Sequence, residues 1–93
     1  MQGLEGVKVL ELGSMVAAAY AAKLMADLGA DVIKVEEPGG DLARQRGPFP
    51  KNIPDPEQSG LFLYLNTNKR GCTLDPTKDA ATLARLVAWA DIL

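Results

Sequence analysis

Residues Val9–Glu36 read VLELGSMVAAAYAAKLMADLGADVIKVE, and the fold turns on how this stretch is divided. Val7, Val9, Leu10 and Leu12 form a short β-rich run, nearly all apolar at its end, as a strand covered on both faces would be. Ser14 stands where a helix cap is needed. From Val16, apolar residues recur at Tyr20, Leu24 and Leu28, with Ala17, Ala21 and Met25 beside them. That spacing predicts one packed face of a helix. Gly29 occupies the place of a left-handed C-cap. Val32, Ile33 and Val35 then predict a second strand, stopped by Pro38-Gly39-Gly40. A strand, a helix and a strand this close together imply a right-handed crossover and a parallel pair. The layout is that of a Rossmann-type unit. Its first loop, GSMVAAA, nevertheless lacks the glycines with which such units approach phosphates, since the next glycine after Gly13 is Gly29.

The rest of the chain continues the pattern. Gly39–Gly60 holds four of the six prolines, which predicts a long loop with one helical turn at Asp41–Gln45. Loops of this length act as functional lids or subunit contacts, or else as solvated connectors. Leu61–Asn66 suits a buried strand or a short helix; Ser59 and Gly60 before it favour a short helix capped at Ser59. Cys72-Thr73-Leu74 reads as a third strand. Asp75-Pro76 predicts the start of a last helix, with Leu83, Leu86, Val87 and Ala90 as its buried stripe. Asp91-Ile92-Leu93 reads as the beginning of another parallel strand. The expectation is therefore an α/β chain, a partial Rossmann-like parallel sheet truncated before its last strand and forming the front part of something longer.

Composition narrows the chemistry. The 93 residues are 47% hydrophobic, enough for one small globular domain. The net charge of −2 comes from 10 basic and 12 acidic residues spread along the chain, with no basic block to suit nucleic acid or a membrane surface. Histidine is absent, which removes the commonest general base and metal ligand, and one cysteine supplies neither a zinc site nor an internal disulfide. Cys72 reads as a small buried apolar residue or as a reactive thiol. No signal-peptide pattern stands at the N-terminus, and the expected location is cytoplasmic.

Broken glycine motifs leave a methyltransferase-like S-adenosylmethionine binder open, along with a non-catalytic interaction module. A more specific likeness lies in LEGVKVLEL (Leu4–Leu12), LGADVIKVE (Leu28–Glu36), PGGDLAR (Pro38–Arg44) and LNTNKRGCTLD (Leu65–Asp75). In order and spacing these resemble the N-terminal part of the family III CoA-transferases. That family includes formyl-CoA transferase, carnitine CoA-transferase, the bile-acid-inducible protein F group and α-methylacyl-CoA racemase. The resemblance covers essentially the whole chain and implies that residues 1–93 are the N-terminal part of a coenzyme A-binding Rossmann-like domain. It further implies acyl-CoA and a carboxylic acid acceptor as substrates, no metal, and an intertwined homodimer.

Coenzyme A suits a loop without glycines. A site that grips its adenine and arm with apolar walls, and its phosphates with Arg or Lys, needs no glycine cradle. Carried over by position, Ser14, Met15, Val16 and Ala17 fall where the family's first loop meets the coenzyme, and Leu74 falls on an adenine wall. Many members place an arginine where this chain has Glu37, and a second basic position falls on Thr77. Phosphate contacts would then come from Arg44, Arg46, Lys69 or Arg70. Lys69 and Arg70 also read as a solvated turn with a structural salt bridge, Asp41 as a helix cap, and Glu36 as a strand end or a ribose contact. Trp89 reads as packing. In the family an aspartate carboxylate attacks the acyl-CoA thioester, giving an acyl-aspartyl anhydride and CoA thiolate; the racemases instead abstract a proton beside the thioester. No aspartate of this chain sits in the matching motif, so no catalytic residue is assigned.

Overall fold

A computed structural model describes residues 3–13 and 16–93. Strands β1 (Lys8–Glu11), β2 (Asp31–Glu36) and β3 (Arg70–Thr73) form a parallel sheet in the order β1-β2-β3. Helices α1 (Ala17–Asp27), α2 (Gly60–Leu65) and α3 (Ala80–Trp89) connect and cover it. On the free side of β1, Ile92 makes a parallel bridge to Val9, its N–H donating to the Lys8 carbonyl and its carbonyl accepting from the Leu10 N–H. The sequence expectation of a fourth strand at Ile92 therefore has its first pairing in place. With that bridge the order across the sheet runs Ile92, β1, β2, β3, all parallel.

Helix α1 ends as Gly29 predicts. At φ +102° Gly29 takes the left-handed conformation, its N–H donates to the Ala26 carbonyl, and the Ala30 N–H donates to Met25. These are the paired bonds of a Schellman motif, and they turn the chain directly into β2. Gly13 is required for a different reason. A Cβ at that position would lie 2.4 Å from the Ala18 Cβ, so only glycine lets the loop after β1 pass this close to α1. The cap expected of Ser14 falls outside the described residues.

The packed face of α1 is not the one its large residues predict. Val16, Tyr20, Leu24 and Leu28 are 44–54% exposed, and Ala17 and Ala21 are exposed too. Ala19, Ala22 and Ala26 face the sheet instead, and the last two join a core with Val9, Ala30 and Val32. Small residues let the helix axis approach the strands, and this approach has a use: the Ala19 carbonyl receives a hydrogen bond from the buried Lys69 ammonium at 3.0 Å. A bulky face would hold α1 too far away.

The middle loop contains a 3-10 turn at Leu42–Gln45, capped by Asp41, whose carboxylate accepts the Ala43 N–H. A second lies at Pro50–Asn52. Ser59 caps α2 by accepting the Phe62 N–H at 3.2 Å, and its own hydroxyl lies against the carbonyls of Ala43 and Arg46. The short-helix reading of Leu61–Asn66 holds. The last helix starts later than Asp75-Pro76 predicts. Asp75 accepts the N–H groups of Thr77 and Lys78 in a local turn, and α3 begins only after Asp79. Its expected buried stripe is no more than half-buried: Val87 is 43% exposed, and α3 has no fully buried residue. Trp89 packs as expected, half-buried with the Arg70 guanidinium 6.0 Å from its ring centre.

Candidate functional site

A cavity of about 320 Å³ opens at the carboxyl ends of β1 and β2, lined by Leu12 and Gly13, by Val35, Glu36 and Glu37, and by Gly40, Asp41 and Leu42. Ligands of open parallel sheets bind in crevices at this end of the strands, where the loops are free to vary. Its described lining carries three carboxylates and no cation. Two of these carboxylates are already engaged. Glu36 takes the Arg44 Nε–H and Nη2–H at 2.8 Å each, and also the Asp41 N–H at 2.7 Å. The Asp41 Oδ2 lies 2.7 Å from the Lys34 ammonium. Glu37 is exposed at the rim.

Beneath the cavity lies a buried ionic cluster. Glu11 on β1 stands in register with Lys34 on β2, and the two meet at 2.7 Å. The other Glu11 oxygen takes the Lys69 ammonium at 2.6 Å. Lys69 fills its remaining donors with the Asn66 Oδ1 at 2.6 Å and the Ala19 carbonyl at 3.0 Å. Burial pushes Lys34 down, but Asp41 and Glu11 together outweigh it and hold the ammonium above its ordinary value. For Lys69 burial prevails over Glu11, so its pKa is lowered. Arg44 also stacks on the Phe62 ring, 3.7 Å from its centre.

These contacts sort the residues proposed from sequence. Glu37 lies on the cavity. Val16 and Ala17 are exposed at the start of α1. Leu74 is half-buried just past β3, at the same end of the sheet, with its N–H on the Glu36 carbonyl at 2.9 Å. Ser14 and Met15 lie outside the described residues. Arg44 and Lys69 are not available as expected: one holds Glu36, and all three ammonium donors of the other are taken. The Lys69 side chain is buried rather than in a solvated turn, while the structural salt bridge also read there forms, with Glu11. Arg70 pairs with Asp31 at the opposite end of β2. Glu36 closes onto Arg44, and Asp41 both caps the 3-10 turn and meets Lys34. Cys72 is half-buried and its thiol is pushed up by burial, the behaviour of a packing residue. Sequence reading missed the pairing of Glu11 with Lys34, whose signal was two opposite charges at matching positions of a parallel pair. It also missed Leu12, Gly40 and Leu42 as cavity lining.

The Glu36–Arg44 pair sets a pH dependence. The Arg44 hydrogen bonds hold the Glu36 carboxyl below its ordinary value of about 4.5, so the pair stabilises the fold above that pH, and the contribution is lost as pH falls through the lowered value. Glu36→Gln is expected to cost about 1.5–3 kcal/mol at neutral pH, the range for a hydrogen bond to a charged group. Urea unfolding at several pH values should show this deficit close in acid. A deficit unchanged down to the acid limit would mean that the carboxylate charge is not what holds the pair.

Comparison with known proteins extends these observations. The profile of CoA-transferase family III matches residues 4–93. The chain is 39% identical over 95 residues to succinyl-CoA:mesaconate CoA-transferase of Haloarcula hispanica, covering 100% of this chain and 24% of that protein. It is 40% identical over 95 residues to succinate–glutarate CoA-transferase of Agrobacterium fabrum, covering 97% and 24% respectively. The crystal structure of a CAIB/BAIF family protein from Brucella suis superposes with a TM-score of 0.84 at 36% identity, over 98% of this chain and 25% of that one. The chain thus spans about a quarter of the length of the relatives it matches. The motifs that carry the likeness in sequence are those that build the Glu11–Lys34–Asp41–Lys69 cluster and the cavity above it, and with a profile match over nearly its whole length the chain belongs to CoA-transferase family III.

Proposed function

We propose that this chain is the N-terminal coenzyme A-binding portion of an enzyme that transfers CoA between an acyl-CoA and a carboxylic acid. The observation that carries this reading is the cavity at the carboxyl ends of β1 and β2, in a chain whose relatives are named CoA-transferases of succinate, mesaconate and glutarate. Those names favour transfer over the racemase chemistry of the same family. In this reading the loop Ser14–Ala17 and Leu74 supply apolar walls for the coenzyme, with Glu37 at the rim. Arg44 and Lys69 serve the fold rather than the phosphates. The acyl-aspartyl anhydride forms on an aspartate that is not among these residues, in a cytoplasmic, intertwined homodimer.

The test separates binding from chemistry. Coenzyme A titrated into the chain should shift the amide resonances of Val16, Ala17, Glu37 and Leu74, while succinyl-CoA with mesaconate or glutarate should give no transfer even at high protein concentration. Without histidine or a matched aspartate the chain holds no credible pair of nucleophile and base. Transfer by the chain alone would overturn the placement of the nucleophile. Shifts confined to the other end of the sheet would overturn the site.

A further inference from the structure

The wall of the cavity formed by Gly40, Asp41 and Leu42 belongs to no strand, and only a short 3-10 turn begins within it, at Leu42. Side chains fasten it to the sheet. The Asp41 Oδ2 meets Lys34 at 2.7 Å, its Oδ1 takes the Ala43 N–H at 2.8 Å, and its own N–H is held by Glu36. Lys34 is shared with Glu11, and Glu11 with Lys69, which ends on the Asn66–Lys69 turn and on α1. The side chains of Glu11, Lys34, Asp41 and Lys69 are each no more than 3% exposed, and their charges sum to zero.

Stability alone is a poor reason for such a cluster. Apolar side chains of similar volume often serve a buried position as well as an ion pair or better. What they lack is direction: a carboxylate meeting an ammonium at hydrogen-bond distance fixes where the loop sits, whereas methyl groups tolerate sliding. We propose that Lys34 and Asp41 are positioning residues, a clasp that holds the Gly40–Leu42 wall in place and ties it, through Glu11, to the Asn66–Lys69 turn. The clasp itself stands on the geometry; only the identity of the ligand rests on the coenzyme A reading.

The double variant Lys34→Met, Asp41→Asn leaves Glu11 paired with Lys69 and no unpaired charge in the cluster. It is expected to fold, with amide exchange of Val9–Glu11 and Val32–Val35 unchanged. Exchange at Asp41, Ala43 and Arg44 should rise by about ten- to a hundredfold, the factor carried by one charge-assisted hydrogen bond. Coenzyme A affinity, measured by calorimetry, should fall with it. Wild-type protection of those three amides in a folded double variant would overturn the clasp. Loss of protection with unchanged coenzyme A affinity would support the clasp and remove the coenzyme reading. Where the double variant does not fold, Asp41→Asn alone is measured on the same amides. If that variant too is unfolded, the cluster is a stability element and the proposal fails.

Discussion

Glu11→Leu is expected to destabilise the fold by about 3–5 kcal/mol, a large part of what a small domain possesses. The carboxylate is 2% exposed and accepts one ammonium on each oxygen. With leucine there, Lys34 keeps Asp41, but Lys69 is left with only the neutral oxygens of Asn66 and Ala19. Burial already lowers the Lys69 pKa, and loss of Glu11 lowers it further. The sign of the pH effect follows. Between the folded value and the ordinary 10.5 the unfolded chain binds more protons than the folded one, so stability rises with pH in that window. Urea unfolding of the variant should therefore show its largest deficit near neutrality and a smaller one towards pH ~10. The variant Glu11→Leu, Lys69→Met removes the stranded charge as well and should recover much of the loss at every pH. A cost for Glu11→Leu below about 1 kcal/mol, the level of an exposed pair, would show that the cluster is open to water.

How far these features could be read in the sequence depends on the physical signal each one leaves. Gly29 and Ser59 were legible because a left-handed cap and a hydroxyl cap are local, set by a few neighbouring backbone groups. The parallel β1–β2 pair was legible because a short crossover admits little else. The orientation of α1 was not. A helical period reveals that a stripe exists, and the larger residues Val16, Tyr20, Leu24 and Leu28 outweigh alanines in any such count. The choice of the Ala19–Ala22–Ala26 face is made by tertiary contacts, among them Lys69 reaching the Ala19 carbonyl from 50 residues away. Of the readings of Lys69, the structural salt bridge was legible and its burial was not, and Arg44, offered as a phosphate contact, closes on Glu36 instead. The distant carboxylates that take these cations, Glu11 and Glu36, leave no local signal beside a turn or loop. Asp75 shows the limit of local signals: a cap residue before proline also builds a free-standing turn, and here it does.

Glu37→Arg is expected to tighten coenzyme A binding by about ten- to a hundredfold, the value of one charge-assisted phosphate contact, with the solvated rim favouring the lower end. The charges around the cavity explain why this one position should matter so much. Glu36 is neutralised by Arg44 and Asp41 by Lys34, which leaves Glu37 as the lining carboxylate exposed at the rim. In the coenzyme A reading proposed above, it repels a pyrophosphate or a ribose phosphate that approaches from the solvent side. An arginine in its place supplies two parallel donors of the geometry that phosphate oxygens accept. Glu37→Gln separates the two effects, because it removes the repulsion and adds no positive charge, so its affinity should fall between the other two. The gain from arginine is electrostatic and at the surface. It should shrink as salt is raised from ~0.01 M, where charges act over about 30 Å, to ~0.15 M, where they act over about 8 Å. A gain that salt leaves unchanged would point to packing by the arginine stem rather than to phosphate contact. If all three forms bind coenzyme A alike, the phosphates do not pass this rim, and the coenzyme lies elsewhere than along the ends of β1 and β2.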